Sequence, residues 1–322
     1  MSTGTDDQGE PLAPDEAFAA LGNETRMAIL RTLGDADGAL TFSELRDRVG
    51  MADSGQFNYH LGKLDDHFVR DTGDGYTLQR AGERVVEAVL SGAVTDAPVV
   101  EPTETDDACP YCGAPTAVSY RQGILARSCT ECAGAVASDV DTASAVPDAL
   151  ADGYINSYYL PPAGVEGRAV SEALDAAGTW SGFKILEVIQ DVCPRCSAPV
   201  EQSVEVCETH DSTDEVCGDC GYRYAAMSRA NCTNCIFDAL FMTGINAFTD
   251  PGFVEFLASN GLNPTSMSGE LDRVIGNHVE EVISADPFEA RYTFKVEGEA
   301  CTLTLDNDYA VADLTVHDAG SE

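Results

Sequence analysis

The sequence predicts an α+β multidomain chain: a helical N-terminal module, a cysteine-rich middle and a small C-terminal antiparallel sheet with helices. Three observations carry this. Capped segments with helical apolar spacing fill the first 95 residues and end on a hairpin signal. Eleven of the 12 cysteines fall between 109 and 235, in Cys-x2-Cys or Cys-x2-His pairs. Beyond residue 279, apolar and polar side chains alternate between turn residues. A length of 322 residues exceeds what one core usually organises, and 44% hydrophobic residues are enough to build several, which excludes a wholly disordered acidic chain. The expected division is 12–95, a linker over 96–107, a metal ribbon over 108–140, a helix plus two-metal module over 165–235 and an α+β region over 236–322.

Residues Asp15 to Leu33 place Phe18, Leu21, Met27, Ile29, Leu30 and Leu33 on a helical period broken at Gly22-Asn23, where Asn23 can cap a second helix. Thr41 caps Phe42 to Val49, with Glu44 completing a capping box, and Gly50 ends that helix. From Ser54 to His67 a further helix carries Phe57, Leu61 and Leu64 on its buried face, and His60 is expected to pack beside them. Phe68 to Arg70 and Tyr76 to Gln79 flank the turn Thr72 to Gly75, and a last helix runs from about Ala81 to Leu90. Helix, helix, turn, helix and hairpin in this order predict a winged helix-turn-helix.

The phrase Leu21-Gly22-Asn23-Glu24-Thr25-Arg26 with Ile29-Leu30, followed by Leu45, Tyr59-His60-Leu61 and Leu64, resembles the ArsR-like winged-helix repressors over about 75 residues. The resemblance implies a dimeric transcription regulator on double-stranded DNA, reading the major groove with the 54–67 helix and approaching phosphates with its wing. With the apolar stripe inward, Ser54, Gln56, Asn58, Tyr59 and Lys63 face outward; Gln and Asn suit adenine edges, and Lys suits a phosphate or guanine. Arg70 and Arg80 stand at the wing, Arg46 and Arg48 on the preceding helix. This module has no cysteine, so the family's metal-sensing form does not carry over.

Cys109-x2-Cys112 and Cys129-x2-Cys132 bracket two strands, Thr116 to Tyr120 and Ile124 to Ser128, as in a zinc ribbon, whose thiolates converge on a cation at about 2.3 Å. Iron at this first site is the less favoured alternative, since a Cys-Pro-x-Cys-Gly knuckle also suits it. The pairs Cys193-x2-Cys196, Cys207-x2-His210, Cys217-x2-Cys220 and Cys232-x2-Cys235 supply eight more ligands, hence about three Zn2+ per chain with no ligand left over. Alternation of the pairs, first with third and second with fourth, is the expected arrangement, because the Cys193 and Cys217 knuckles look alike. Full coordination predicts structural sites. Cys301, alone in an expected strand, reads as a small buried apolar residue.

Val94 to Asp107, with Pro98, Pro102 and many acids, reads as linker, and an irregular stretch follows Gly134. Tyr154, Tyr158, Tyr159 and Leu160 form an aromatic cluster expected to pack locally. Ser171 to Val192 reads as a helix, Ile236 to Phe248 as an apolar helix, and Asp250-Pro251 as the start of another over Gly252 to Ser259. Strands are expected over Val279 to Ile283, Ala290 to Val296, Ala300 to Leu305 and Ala310 to Val316.

The formal charge is -37, from 18 basic and 55 acidic residues, spread along the whole chain. Lysine is nearly absent (Lys63, Lys184 and Lys295), a surface that resembles those of extremely halophilic archaea. In molar salt the Debye length is about 3 Å, so acidity alone does not exclude a nucleic-acid partner. The polar, acidic start Met1 to Glu10 and the absence of an apolar run long enough to span a bilayer lead to the expectation of a cytoplasmic protein with no membrane partner. No catalytic constellation stands out from the acidic background, so no enzyme activity is expected. The regulator reading has two rivals: a zinc-ribbon scaffold docking on transcription machinery, and an iron or thiol redox sensor. The overall arrangement resembles haloarchaeal ArsR-like regulators, and this resemblance supplies no effector.

Overall fold

A computed structural model describes residues 12–137, 152–211, 215–266 and 269–320. It divides into two compact units, Met1–Asp96 and Ala97–Glu322. The expectation drawn from Met1 to Glu10, and the last residues of the expected ribbon range (138–140), lie outside the described residues.

The first unit runs α1 (Pro14–Leu21), α2 (Glu24–Gly34), α3 (Phe42–Val49), α4 (Ser54–Gly62), β1 (Val69–Asp71), β2 (Tyr76–Leu78) and α5 (Arg80–Leu90). Its boundaries follow local chemistry. The Asn23 side chain accepts from the Arg26 amide at the start of α2, and Thr41 and Glu44 form the capping box of α3. Gly50 closes α3 in the left-handed region at φ 77°. Asp53 caps α4 by accepting from the amides of Gly55 and Gln56. That helix stops at Gly62 rather than at His67: Leu64 and Asp65 turn back onto the Leu61 carbonyl, and Asp66 adopts φ 68°. Ile29, Leu30, Leu45, Phe57, Leu61, Leu64 and Val86 meet in one core.

The second unit begins with β3 (Val100–Ala108), β4 (Pro115–Arg121), β5 (Ile124–Cys129) and β6 (Tyr154–Tyr159), hydrogen-bonded in that order, then a 3₁₀ turn (Pro162–Gly164) and α6 (Val170–Val188). The expected linker is therefore in part an edge strand. Its register with β4 shifts between Val100 and Thr103, where Pro102 sits, and its many exposed acids suit an edge that must not pair further. The tyrosine cluster of 154–159 supplies the fourth strand. Next come β7 (Val200–Val206), β8 (Ala226–Cys232) and β9 (Asp238–Met242), forming a second sheet in that order, followed by a 3₁₀ segment (Thr243–Thr249), α7 (Pro251–Ser259) and α8 (Gly269–Gly276). The expected helix over 236–248 is not formed. A continuous apolar run has no diagnostic period, and the free edge of β8 captures it as a strand, Ala230 opposite Ala239. Helix α8, short and bounded by glycines, was not foreseen.

A four-stranded meander closes the chain: β10 (Val279–Ala285), β11 (Phe288–Val296), β12 (Glu299–Leu305) and β13 (Val311–Asp318). Its inner face, with Phe288, Tyr292, Phe294, Cys301 and Leu303, packs on Phe253, Phe256 and Leu257 of α7 and on Leu271, Val274 and Ile275 of α8. Cys301 is fully buried there, as expected of a small apolar residue. The chain is thus mixed α and β, with several antiparallel sheets, and no described helix is long and apolar enough to cross a membrane.

Candidate metal centres and an exposed helix face

In the first unit, α4 separates its residues as the spacing requires. Phe57, Leu61 and, just past its end, Leu64 are buried, while Ser54, Gln56, Asn58, Tyr59 and Lys63 are exposed. Tyr59 is 60% exposed, with the Lys63 ammonium 5.8 Å from its ring centroid. His60 is half-buried, its ring 5.4 Å from that of Tyr59, and among the described residues it joins no metal-capable cluster. Of the arginines, Arg48 and Arg70 are exposed, and the Arg70 Nε donates to Thr77 Oγ1 across the hairpin at 3.3 Å. Arg46 is bound to Asp47 at 2.8 Å, and Arg80 to Glu83 at 2.7 Å and Glu87 at 3.5 Å. Their charges are engaged within the chain, a feature that residue type alone does not reveal.

In the second unit all twelve expected ligands gather into three tetrads, each with its ligand atoms within 4.8 Å of one another: Cys109, Cys112, Cys129 and Cys132; Cys193, Cys196, Cys232 and Cys235; Cys207, His210, Cys217 and Cys220. The Sγ separations are 3.7 Å for Cys109 and Cys132, 3.4 Å for Cys112 and Cys129, 3.7 Å for Cys193 and Cys235 and 3.4 Å for Cys196 and Cys232. A disulfide needs about 2.05 Å. Four sulfurs about 2.3 Å from a tetrahedral cation stand about 3.8 Å apart, so the cysteines are spaced for a metal and not for one another. Backbone amides prepare them further: Glu131 and Cys132 donate to the Cys129 sulfur, and Asn234 and Cys235 to that of Cys232, all at 3.3 Å.

The thiol acidities show the same preparation. At Cys129 burial acts upward but is outweighed by those amides and neighbouring thiols, bringing it down to about 7; Cys232 falls to about 6 for the same reasons. Burial and the adjacent sulfurs push Cys132 and Cys220 up to about 12. Thiolates crowded this closely repel until a cation neutralises them, so the residues fit a bound metal, which when present supplies cross-linking and charge neutralisation.

The expected alternating partnership is corrected by the structure: the outer pairs share one site and the inner pairs another. The cause is the antiparallel pairing of β7 with β8, in which Val200 faces Cys232 and Val206 faces Ala226. Cys193–Cys196 precedes β7 and Cys232–Cys235 begins at the last residue of β8, so both lie at one end of the ladder. Cys207–His210 follows β7 and Cys217–Cys220 precedes β8, so both lie at the other. In this third site the Cys220 sulfur is 3.6 Å from the His210 Nδ1. The resemblance of the Cys193 and Cys217 knuckles is nonetheless real. In each, as in the Cys109 knuckle, the first cysteine's amide donates to the carbonyl five residues on, and the residue four positions on adopts positive φ: Gly113 (77°), Ser197 (60°) and Gly221 (73°).

A regularity missed in the sequence emerges from this comparison. Cys-Pro-x-Cys-x-Ala-Pro occurs at 109–115 and 193–199, and Cys-Thr-x-Cys at 129–132 and 232–235. Each copy builds the same object: knuckle, strand, return strand, knuckle, third antiparallel strand, 3₁₀ segment, helix. The hydrogen bonds repeat as well, since the Thr130 hydroxyl donates to the Pro115 carbonyl at 2.9 Å and the Thr233 hydroxyl to the Pro199 carbonyl at 3.0 Å. The second unit contains a repeated element of two cysteine pairs, three antiparallel strands and a helix, and the third tetrad lies in an excursion at the tip of the second copy.

Residues 14–89 match the family described as Domain of unknown function (DUF7347), and residues 106–311 match that described as Domain of unknown function (DUF7351), the latter spanning more than half of the chain. No curated protein and no solved structure matches it.

Proposed function

The chain belongs to the DUF7351 family, and for this member we propose a DNA-binding transcription regulator, acting as a homodimer, with a winged helix-turn-helix over its first unit and zinc in its three tetrads. The observation that carries this reading is the exposed polar face of α4, with Gln56, Asn58 and Lys63 opposite the buried Phe57 and Leu61. A short helix capped on α3's heels, followed by a two-stranded hairpin and a closing helix, is the order in which groove-reading modules present such a face. Gln56 and Asn58 can each offer a donor and an acceptor to an adenine edge, Ser54 and Tyr59 hydroxyls can meet phosphates, and Lys63, Arg48 and Arg70 supply positive charge around them. Arg46 and Arg80 contribute less directly, because their own carboxylate partners must be displaced first.

The two all-cysteine tetrads are read as zinc ribbons of structural kind, since four protein ligands leave no open position for a substrate. Zinc gives a colourless protein with about three ions per chain, whereas iron at the first site gives a visible charge-transfer band.

The test is capture of genomic fragments by the zinc-loaded full chain in molar KCl, compared with the Gln56→Ala, Asn58→Ala, Lys63→Ala triple variant. Contacts of about 1–3 kcal/mol each predict a loss of more than about a hundredfold in affinity for the preferred fragments. Unchanged capture by the triple variant rejects α4 as the reading element and favours docking of the cysteine modules on transcription proteins.

A further inference from the structure

The duplicated ribbon supplies its own control experiment. In the first copy, β4 and β5 are joined at the tip by Gln122-Gly123 alone, with Arg121 paired to Ile124. The corresponding pair in the second copy is Glu205 with Met227, and between the strands the chain makes the excursion 207–225. A ribbon of this kind therefore closes with one tetrad and a tight turn. The third tetrad serves something other than ribbon formation.

What the excursion touches indicates its use. Immediately after Cys220 it lies along the first copy: Tyr222 bridges Val136, the Ala137 amide donates to the Gly221 carbonyl at 2.8 Å, and the Arg223 amide donates to the Ala135 carbonyl at 2.9 Å. The Arg223 Nε donates to the Gly134 carbonyl at 2.8 Å, and its guanidinium stands 4.1 Å from the Tyr111 ring, inside the first knuckle. Tyr224 then reaches the C-terminal part. Its hydroxyl lies 3.2 Å from that of Tyr111 and donates to the Gly276 carbonyl, and its ring stacks on His278 at 4.7 Å. Finally the amides of Ala225 and Ala226 donate to Glu280 of β10. Three bodies, the first copy, the second copy and the closing sheet, meet on residues 221–226.

The excursion has little else to order it. Residues 207–220 contain one aliphatic side chain larger than alanine, Val216, and it is half-buried, so no apolar core can hold this segment. Its ligands can. Cys207 anchors the base of the excursion through its amide, which donates to the Ala225 carbonyl at 2.8 Å, and Cys217 and Cys220 set the turn that presents Gly221 to the first copy. The donor set also differs from the others: one neutral imidazole replaces a thiolate, which leaves less negative charge to retain a divalent cation.

We propose that the third site is a detachable latch: a thiophilic divalent cation on Cys207, His210, Cys217 and Cys220 fixes residues 221–226 against the first copy and the closing sheet, and its loss frees that interface while both ribbons remain folded. The ligands set the tip, and the tip carries the inter-copy hydrogen bonds. Occupancy of this one site is thereby converted into the relative packing of the two copies. This inference stands on the second unit alone and survives or fails independently of DNA binding.

The test uses the zinc-loaded full chain and two single variants, Cys207→Ser and His210→Ala, read by metal content and by amide hydrogen exchange. The expected result is two ions retained in place of three, with exchange at Ala137 and Arg223 faster by about tenfold or more and protection unchanged in β4, β5, β7 and β8. Unchanged exchange at Ala137 and Arg223 after loss of the ion overturns the latch, and loss of all three ions or of ribbon protection overturns its detachability. A further variant guards against a local misfold in the point substitutions: residues 206–226 replaced by Gln-Gly, the turn of the first copy. It is expected to bind two zinc ions; failure to do so means that the second ribbon needs the third site, and the proposal falls.

Discussion

Glu280 shows at the scale of one residue how far the interior departs from the acidic surface around it. Its carboxylate lies beside Tyr292 and the tip of the excursion, and burial raises it to about 7 despite the amides of Ala225 and Ala226, which act the other way. An acid with a raised folded-state pKa binds its proton more tightly folded than unfolded, so its contribution is fully present below about 4.3 and is lost as pH rises through about 7. Glu280→Gln is therefore expected to raise the thermal midpoint at pH 8, by an amount corresponding to at most about 3 kcal/mol, with the gain shrinking toward zero near pH 4.5. A pH-independent difference in calorimetric scans rules out this linkage. Nothing in the sequence distinguishes Glu280 from the neighbouring Glu281, which is exposed and pairs with Arg291. Strand alternation says that two successive acids face opposite ways, but which way depends on the register with β11 and on the excursion that covers Glu280. The candidate metal ligands were legible for the opposite reason, since Cys-x2-Cys spacing is a local geometric demand within each pair.

Elements whose ends are fixed by local chemistry were readable, and those fixed by a partner were not. Asn23, Thr41 with Glu44, and Asp250 all cap the helices that the sequence assigned to them. The run 238–242, with no capping residue and no clear period, became a strand only because β8 offered an unpaired edge. The pairing of the inner and outer ligands belongs to the same class, since it follows from the β7–β8 ladder rather than from the look of the knuckles. The knuckle turn makes its own demand. Gly113 and Gly221 meet it at positive φ without penalty, whereas Ser197 carries a Cβ there, at φ 60°. Ser197→Gly is expected to stabilise the zinc-loaded protein by about 0.5–1 kcal/mol, and Gly221→Ala to destabilise it by about 1 kcal/mol or more, both read as shifts of the denaturation midpoint at constant m-value. Equal and opposite shifts of negligible size would show that the turn tolerates either residue and that its geometry is set by the metal alone.

For the whole molecule the governing quantity is charge. Arginines are spent internally where the fold needs them: Arg127 is buried against Asp272 and the Ala108 carbonyl, and Arg229 binds Asp238. With 18 basic against 55 acidic residues, one-to-one pairing would leave 37 carboxylates over, so the compact state carries the repulsion of a net charge of -37. Screening decides what this costs. The Debye length is about 3 Å in molar salt and about 10 Å at 0.1 M, so carboxylates one or two residues apart on a strand or helix surface cease to be screened as salt is diluted. Unfolding spreads the same charge over a larger volume and relieves it. The thermal midpoint of the zinc-loaded chain is accordingly expected to fall by on the order of 10 °C between molar and 0.1 M KCl, equivalent to about 3 kcal/mol for a unit of this size. The dependence should follow ionic strength rather than cation identity, KCl and NaCl acting alike, with metal content unchanged across the series. A midpoint that stays level on dilution means that the carboxylates are spaced widely enough not to interact, and a drop accompanied by zinc loss assigns the effect to the tetrads instead of the surface. For the proposed DNA binding the same screening length sets a condition: contacts from α4 to phosphates and bases are expected only where long-range repulsion is cut to a few ångströms.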